Sequence, residues 1–238
     1  MKKQFILIHG AWHGGWCWDG VVTELKKAGH KAVAPTMPGH NQKDDRSKIC
    51  LNDYIEKILQ IVQGTDGQVV LVGHSSAGFL VQAVAAKIPE KFNHLIFINA
   101  FILPDGRCQF DIVPPAVAQG MTQAANASSD NCVPVLEDFV RGTLMADASV
   151  EEQDNLITRL IPQPLALFTT PVSTQGFDKG DFKKTVLFCK KDVSLPDGAY
   201  LGMALELGEH YIIELDLGHE GLFTHPGEVA KGIMKAVF

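Results

Sequence analysis

Short runs of mostly apolar residues recur along the chain and are rich in β-forming side chains. They cover residues 5–9, 31–35, 69–73, 95–99, 185–189 and 211–215. Within each run the apolar residues follow one another almost without a break, instead of alternating with polar ones. This pattern is typical of parallel strands that are buried on both faces. It predicts a mostly parallel sheet of six strands.

The segments between these runs repeat apolar residues at helical spacing. The predicted helices cover residues 18–28, 52–63, 77–87 and 227–237. Gly29 suits the position after the end of the first helix, and Asn52 is a good N-cap for the second. Alternating strands and helices predict an α/β fold with an open, doubly wound sheet.

Residues 101–178 break this alternation. The segment contains no clear strand, prolines are frequent, and the helix-like pieces EDFVRGTLM and SVEEQDNLITRL lie within it. A long insertion between two strands of such a sheet commonly forms a lid over the carboxyl ends of the strands, where ligands bind. We therefore expect a core of residues 1–100 and 179–238, with a helical lid at 101–178.

Composition narrows the choice of partners and compartment. The chain has 238 residues, a net charge of -6 and scattered basic residues, so we expect no nucleic-acid partner. No apolar segment approaches the ~20 residues of a membrane helix, and the N-terminal apolar run is too short for a signal peptide. The five cysteines form no C-x-x-C pair, which favours reduced thiols and a cytoplasmic location.

The run VLVGHSSAGFL joins a predicted strand to a predicted helix and holds two adjacent serines. A nucleophile on such a turn needs small residues two positions before and two positions after it. For Ser75 these neighbours are Gly73 and Ala77. Ser76 would instead place the imidazole of His74 at a crowded position. Ser75 is therefore the predicted nucleophile, and a simple helix-capping role is the alternative.

A serine hydroxyl needs a base, and the chain has nine histidines to supply one. His219 follows the last predicted strand, so it lies at the carboxyl edge of the sheet together with Ser75. His40, in a loop after the second strand, is a weaker competitor at that edge. Asp192, which follows the strand TVLFC, would orient the imidazole, with Asp197 as a nearby alternative. The order Ser, Asp, His is the one expected in this kind of fold.

The predicted oxyanion hole uses two backbone N–H groups. One belongs to Ser76, at the start of a helix, and the other to Ala11, in the glycine-rich loop HGAWHGGWCW. This loop has neither G-K-[ST] nor G-x-G-x-x-G, so it does not predict a phosphate site. The histidines and carboxylates lack metal-ligand spacing. We therefore expect no metal and no organic cofactor.

The motifs LIHGAWHGGWCW, LVGHSSAG, DVSLP and GHEGLF resemble the α/β-hydrolase fold. More narrowly, they resemble the plant methylesterase and hydroxynitrile lyase group and its bacterial esterase relatives. The resemblance implies the triad Ser75, Asp192 and His219, a small apolar pocket under the lid, and often a homodimer. The residues assigned to substrate binding are His13, Phe101, Phe110 and Phe168.

Three positions bear on whether the reaction is hydrolysis or cyanohydrin cleavage. The lyases that this chain resembles carry threonine at the position of Gly10, lysine at Glu220 and glutamate at His74. A glutamate beside the catalytic histidine would oppose departing cyanide. The sequence thus predicts a serine hydrolase that acts on small, largely apolar esters through an acyl-enzyme. The alternatives are lyase-type C–C cleavage, perhydrolase chemistry, and a non-catalytic protein that binds small ligands.

Overall fold

A six-stranded parallel sheet forms the centre of the computed structural model, which describes residues 2–238. The strands of the chain are β1 Gln4–Ile8, β2 Lys31–Val33, β3 Val69–His74, β4 Phe92–Ile98, β5 Cys132–Val133, β6 Gln163–Pro164, β7 Lys183–Cys189 and β8 Tyr211–Leu215. The large sheet has the order β2-β1-β3-β4-β7-β8, and every neighbouring pair in it is parallel. The structure therefore confirms the predicted sheet.

Helices cover both faces of the sheet. They are α1 Asp19–Lys27, α2 Leu51–Gln63, α3 Gly78–Lys87, α4 Pro115–Asn126, α5 Glu137–Phe139, α6 Val150–Ile157, α7 Ala166–Thr169, α8 Ala199–Ala204, α9 Gly221–Thr224 and α10 Pro226–Val237. Phe5 and Leu7 of β1 pack with α1 and α10, whereas Ile6 and Ile8 pack with α2 and α3 on the other face. Each central strand is buried on both sides, which explains its unbroken apolar sequence.

The helix ends agree with the sequence at one position and differ at another. Gly29 lies just beyond α1 with a φ of +88°, and its N–H donates to the carbonyl oxygen of Lys26. Asn52 was the predicted N-cap of α2, but Cys50 holds that position in an extended conformation. The carboxylate of Asp53 accepts a hydrogen bond from the N–H of Cys50 at 2.8 Å. The N-cap therefore lies two residues before Asn52, and the helix begins at Leu51, one residue before the predicted range of 52–63.

The insertion between β4 and β7 contains α4 to α7, a π-helical turn at Val140–Leu144, and the two short antiparallel strands β5 and β6. The sequence pattern predicts no strand here, because a strand of two residues is too short to show a period. The insertion has its own apolar cluster, in which Met121, Leu156 and Phe168 pack with Trp12 from the loop after β1. This cluster fixes the lid above the carboxyl ends of the strands.

Candidate active site

Ser75 lies at the sharp turn between β3 and α3. Its φ is +52°, in the left-handed region that a non-glycine residue adopts only at an energetic cost. A Cβ at Gly73 would lie 2.7 Å from Cγ2 of Val81 and 3.0 Å from the carbonyl oxygen of Ala77. The turn thus requires glycine two residues before the serine. The N–H of Phe101 donates to the carbonyl oxygen of Ser75 at 3.0 Å and secures the turn.

His219 lies in the loop between β8 and α9, and its imidazole is buried against Asp192. Nδ1 of His219 donates to Oδ2 of Asp192 at 2.6 Å and lies 3.2 Å from Oγ of Ser194. The hydrogen bonds of this ring both use Nδ1, which leaves Nε2 for the hydroxyl of Ser75 on the wall of the same pocket. Burial alone would lower the pKa of His219, but the charge and hydrogen bond of Asp192 raise it above its ordinary value.

Asn99 is a functional residue that the sequence analysis missed. Its Nδ2 donates to Oδ2 of Asp192 at 2.5 Å and to the carbonyl oxygen of Cys189 at 3.1 Å, and its Oδ1 accepts from the N–H of Cys189 at 2.8 Å. The side chain therefore ties the end of β4 to β7 and to the carboxylate of Asp192, the predicted third member of the triad. The sequence signal that could have identified it is a lone polar residue at the end of the apolar run 95–99. In the structure this residue is fully buried with a φ of +34°.

The carboxylate of Asp192 is held by three groups in all. The N–H of Ser194 donates to Oδ1 at 2.8 Å, while His219 and Asn99 both donate to Oδ2. Burial alone would raise the pKa of this carboxyl, but the charge of His219 and these hydrogen bonds hold it well below its usual range. Asp192 is therefore an ionised hydrogen-bond acceptor that fixes which nitrogen of His219 carries the proton.

The two predicted oxyanion donors lie beside the nucleophile. The N–H of Ser76 belongs to the first turn of a helix and has no partner within it. The N–H of Ala11 is not used in any hydrogen bond within residues 2–238. A Cβ at Gly10 would lie only 2.9 Å from Cβ of Ser75, so this loop passes directly against the nucleophile. Both N–H groups are therefore available to an oxyanion that forms at Ser75.

Lid contacts hold the conformation of this loop. Trp12 has a φ of +63°, and its N–H donates to Oε1 of Gln163 in β6 at 3.1 Å. Its indole N–H donates to the carbonyl oxygen of Val133 in β5 at 3.2 Å. The short antiparallel pair of β5 and β6 therefore has a clear structural role. It holds the peptide next to the oxyanion donor.

A cavity of about 330 Å³ opens onto Ser75, Ser76 and His219. Its wall is mostly apolar and comes from the lid and from the loops of the core, including Trp12, Phe101, Phe110, Val113, Met121 and Leu144. The polar groups on the wall are Gln109, Ser194 and Tyr200, and the last two join their hydroxyl groups at 2.8 Å. A pocket of this kind accommodates a small apolar molecule at the nucleophile.

Residues 5–231 match the sequence model of the alpha/beta hydrolase family. The chain belongs to this family. It is 27% identical to a carbendazim hydrolyzing esterase of Nocardioides sp., over 96% of this chain and 97% of that protein. It is also 27% identical to methylesterase 2 of Arabidopsis thaliana, over 94% of this chain and 92% of that protein.

The fold is also similar to that of solved structures. An extracellular alpha/beta-hydrolase from a Paenibacillus species, described as sharing structural and functional homology with tobacco salicylic acid binding protein 2, superposes with a TM-score of 0.93. The two are 25% identical, and the match covers 98% of each chain. These comparisons confirm the predicted family and fold, and the esterase relatives agree with the predicted hydrolysis of a carboxylic ester.

Two of the four residues assigned to substrate binding line the pocket of this hydrolase, and two do not. Phe101 and Phe110 lie on its wall. Phe168 lies behind Phe110, where the two rings stack with centroids 5.3 Å apart, because the side chain belongs to the core of the lid. His13 lines a separate, much smaller cavity of about 20 Å³ beside Ser75, and its Nε2 lies 3.3 Å from Oε2 of Glu220. Neither Phe168 nor His13 therefore lies on the wall of the main pocket.

Among the described residues, the buried side chains of His74, His219 and Glu220 form the one group close enough together to share an ion. Two of them have other roles in this hydrolase. His219 is the predicted base, and Nε2–H of His74 donates to the carbonyl oxygen of His219 at 3.0 Å. Burial, with the charge of His219, lowers the pKa of His74 to about 3, so this ring is neutral. We assign no metal role to the group.

Proposed function

We propose that this hydrolase cleaves small, largely apolar carboxylic esters through an acyl-enzyme formed on Ser75. The observation that carries the proposal is that four groups lie close to one another: Ser75, Ser76 and His219 line the apolar pocket, and Ala11 lines the small adjoining cavity that Ser75 and His219 also line. These groups are the strained serine, a histidine bound to a buried aspartate at 2.6 Å, and two backbone N–H groups. Each group has one role in acyl transfer, and their proximity supports the assignment of these roles.

In the first half of the reaction, Nε2 of His219 takes the proton from Oγ of Ser75 as the oxygen attacks the ester carbonyl carbon. The N–H groups of Ala11 and Ser76 stabilise the negative charge that develops on the carbonyl oxygen. The intermediate then collapses, the bond to the alcohol oxygen breaks, and His219 protonates the departing alcohol. In the second half, His219 removes a proton from water as the water oxygen attacks the acyl carbon. The bond from that carbon to Oγ of Ser75 then breaks, His219 returns the proton to Oγ, and the carboxylic acid leaves.

The pocket supports the proposed substrate class. Its wall offers aromatic and aliphatic side chains from both the lid and the core, and no Lys or Arg side chain is among the described lining residues. Burial of an anionic acyl group there would be unfavourable. The esterase and methylesterase relatives support an ester substrate, and a methyl ester of an aromatic acid fits the size and polarity of the pocket.

A substrate screen tests this proposal. We expect p-nitrophenyl esters of short and medium acyl chains and methyl esters of aromatic acids to be hydrolysed, with turnover abolished in Ser75→Ala. Esters of the same length that carry a free carboxylate on the acyl chain should react much more slowly. Equal turnover of the charged and neutral esters would contradict the proposed substrate class, whereas turnover that persists in Ser75→Ala would contradict the acyl-enzyme.

The location and the assembly of the protein are further proposals. Within residues 2–238 no helix is long and apolar enough to cross a membrane. The five cysteines are all free, which supports a reducing compartment such as the cytoplasm. The resemblance to the methylesterase group supports a homodimer. Cell fractionation and light scattering of the purified protein would test these two proposals.

A further inference from the structure

Glu220, the residue after the catalytic histidine, is buried in the interior with a side chain that is 1% exposed. Neither of its carboxylate oxygens makes a hydrogen bond within residues 2–238. The contact it does make is an ion pair of loose geometry, with Nε2 of His13 at 3.3 Å from Oε2. Burying a carboxylate with so few partners is unfavourable. A site that keeps such a group at this cost is a candidate for a functional role.

His13 connects this carboxylate to the oxyanion hole. Its Nδ1 lies 2.7 Å from the carbonyl oxygen of Ala11, while Nε2 faces Glu220. The two ring nitrogens thus face one oxygen each. The ring therefore bridges the loop that supplies the Ala11 N–H and the residue next to His219. Because the adjoining Trp12 has a φ of +63°, this loop needs such contacts to keep its conformation.

Glu220 also lies in the electrostatic environment of the catalytic base. The titratable rings that face the carboxylate of Glu220 are His13, His74 and His219. Two other acidic groups, Asp192 and Asp147, also act on His219. The uncharged titratable groups that the charge of Glu220 affects are Cys17, Cys189 and Tyr200. Burial alone would raise the pKa of Glu220, but the attraction of His13 lowers it to about 2. The carboxylate is therefore ionised at neutral pH, and its charge adds to that of Asp192 in favouring protonated His219.

We propose that Glu220 is a positioning residue for ester hydrolysis, one whose buried carboxylate holds His13 against the oxyanion-hole loop and lies within 4.8 Å of a ring nitrogen of His219. The inference rests on the proposed esterase function. It implies two separate effects of removing the charge. A loosened oxyanion loop weakens binding of the transition state more than binding of the ester, so kcat falls while KM changes little. Loss of the negative charge also makes His219 easier to deprotonate.

The test compares Glu220→Gln, which keeps the shape and removes the charge, with the wild-type protein and with Asp216→Asn. Asp216 is a matched control, because its carboxylate lies near the same loop but is 69% exposed and pairs with Lys191 at 3.0 Å. Rates are measured with p-nitrophenyl acetate, an uncharged ester, from pH 5 to pH 9. A fluorophosphonate probe that labels the active-site serine counts the active sites of each variant.

We expect kcat per active site to fall about 10-fold or more in Glu220→Gln, a smaller loss than that of a complete oxyanion donor. The acid limb of kcat/KM should move to lower pH, because the imidazole that must be neutral loses a nearby negative charge. Asp216→Asn should leave both quantities unchanged.

Glu220→Asp separates charge from packing, because it keeps the charge while it shortens the side chain. Its acid limb should stay near that of the wild type even where kcat falls. The proposal is overturned if the acid limb of Glu220→Gln coincides with that of the wild type, or if Glu220→Asp shifts the limb as much as Glu220→Gln does. Partial misfolding does not hide the answer, since the pH of the limb is independent of the number of active molecules. Activity that survives in Ser75→Ala would instead refute the proposed function.

Discussion

Replacement of Asn99 by alanine should weaken both the fold and the reaction, because this side chain joins the two. It donates to the catalytic carboxylate of Asp192 at 2.5 Å and exchanges two hydrogen bonds with the backbone of Cys189. Alanine would remove all three. The substitution leaves the N–H of Cys189 without its partner in a region where Asn99 itself is fully buried.

The expected size of the effect follows from these bonds. A hydrogen bond to a charged group contributes about 1.5–3 kcal/mol, and an orphaned buried donor costs about 1–3 kcal/mol. Together they should lower the free energy of unfolding by about 3–5 kcal/mol, a large part of the ~5–15 kcal/mol typical of a folded domain. Because Asp192 also loses one of the groups that orient it, we expect kcat to fall about 10-fold to 100-fold.

Urea unfolding and kcat for p-nitrophenyl acetate measure the two effects of Asn99→Ala. Asn99→Gly is a second variant, which accepts the φ of +34° without strain but still lacks the side chain. If the hydrogen bonds are the cause, both variants should be impaired. Asn93→Ala, at the other end of β4, is the matched control and should keep its kcat. An Asn99→Gly protein with wild-type stability and kcat would show that backbone strain, not the amide, explains the alanine variant.

Four further outcomes are expected. Ser75→Ala should lower kcat by roughly 10³-fold or more, whereas Ser76→Ala should cost far less because only its backbone N–H is used; the reverse result would move the nucleophile. The kcat/KM of the wild-type protein should decline at low pH with a midpoint above about 6.5, the ordinary pKa of histidine, because Asp192 raises the pKa of His219. A midpoint below about 6.5 would contradict the ion pair of His219 and Asp192. Esterase activity should survive prolonged EDTA dialysis, and a loss that Zn²⁺ or Mg²⁺ restores would contradict a metal-free mechanism. Mandelonitrile should not be cleaved at mildly acidic pH. Cyanide release that exceeds ester turnover and disappears in Ser75→Ala would favour a lyase.

The sheet, and the meeting of Ser75, Asp192 and His219 at one edge of it, could be predicted because both depend on the order of elements along the chain. Parallel strands end at one edge, so residues that directly follow β3, β7 and β8 meet there whatever the details of packing. The nucleophile position could also be predicted from the small neighbours of Ser75, because the backbone at a sharp turn leaves no space for a Cβ at Gly73. A strand of two residues, such as β5, has no period to detect, and its pairing with β6 depends on contacts within the lid.

The direction in which individual side chains point could not be predicted from the sequence. This direction decides which residues line the pocket and which ones contact Asp192. Phe110 and Phe168 are both lid aromatics in similar sequence surroundings, yet one lines the pocket and the other lies behind it. Asn99 reads as the last residue of a strand until its amide is seen to reach Asp192. Each of these roles depends on a few ångströms of tertiary placement, which hydrophobic periodicity does not encode.

The position of Glu220 in the structure gives a different physical reason for the same expectation, that the protein does not cleave cyanohydrins. From sequence, a glutamate beside the catalytic histidine predicts repulsion of cyanide within the pocket. In the structure the carboxylate instead faces His13, outside the lining of the main pocket, so direct repulsion of a bound cyanide is a smaller effect than the sequence suggests. The stronger argument is now steric: a side chain at Gly10 would have its Cβ 2.9 Å from Cβ of Ser75. The threonine that the resembling lyases carry there would require the nucleophile to move, so exchanging Glu220 for lysine alone should not create a lyase.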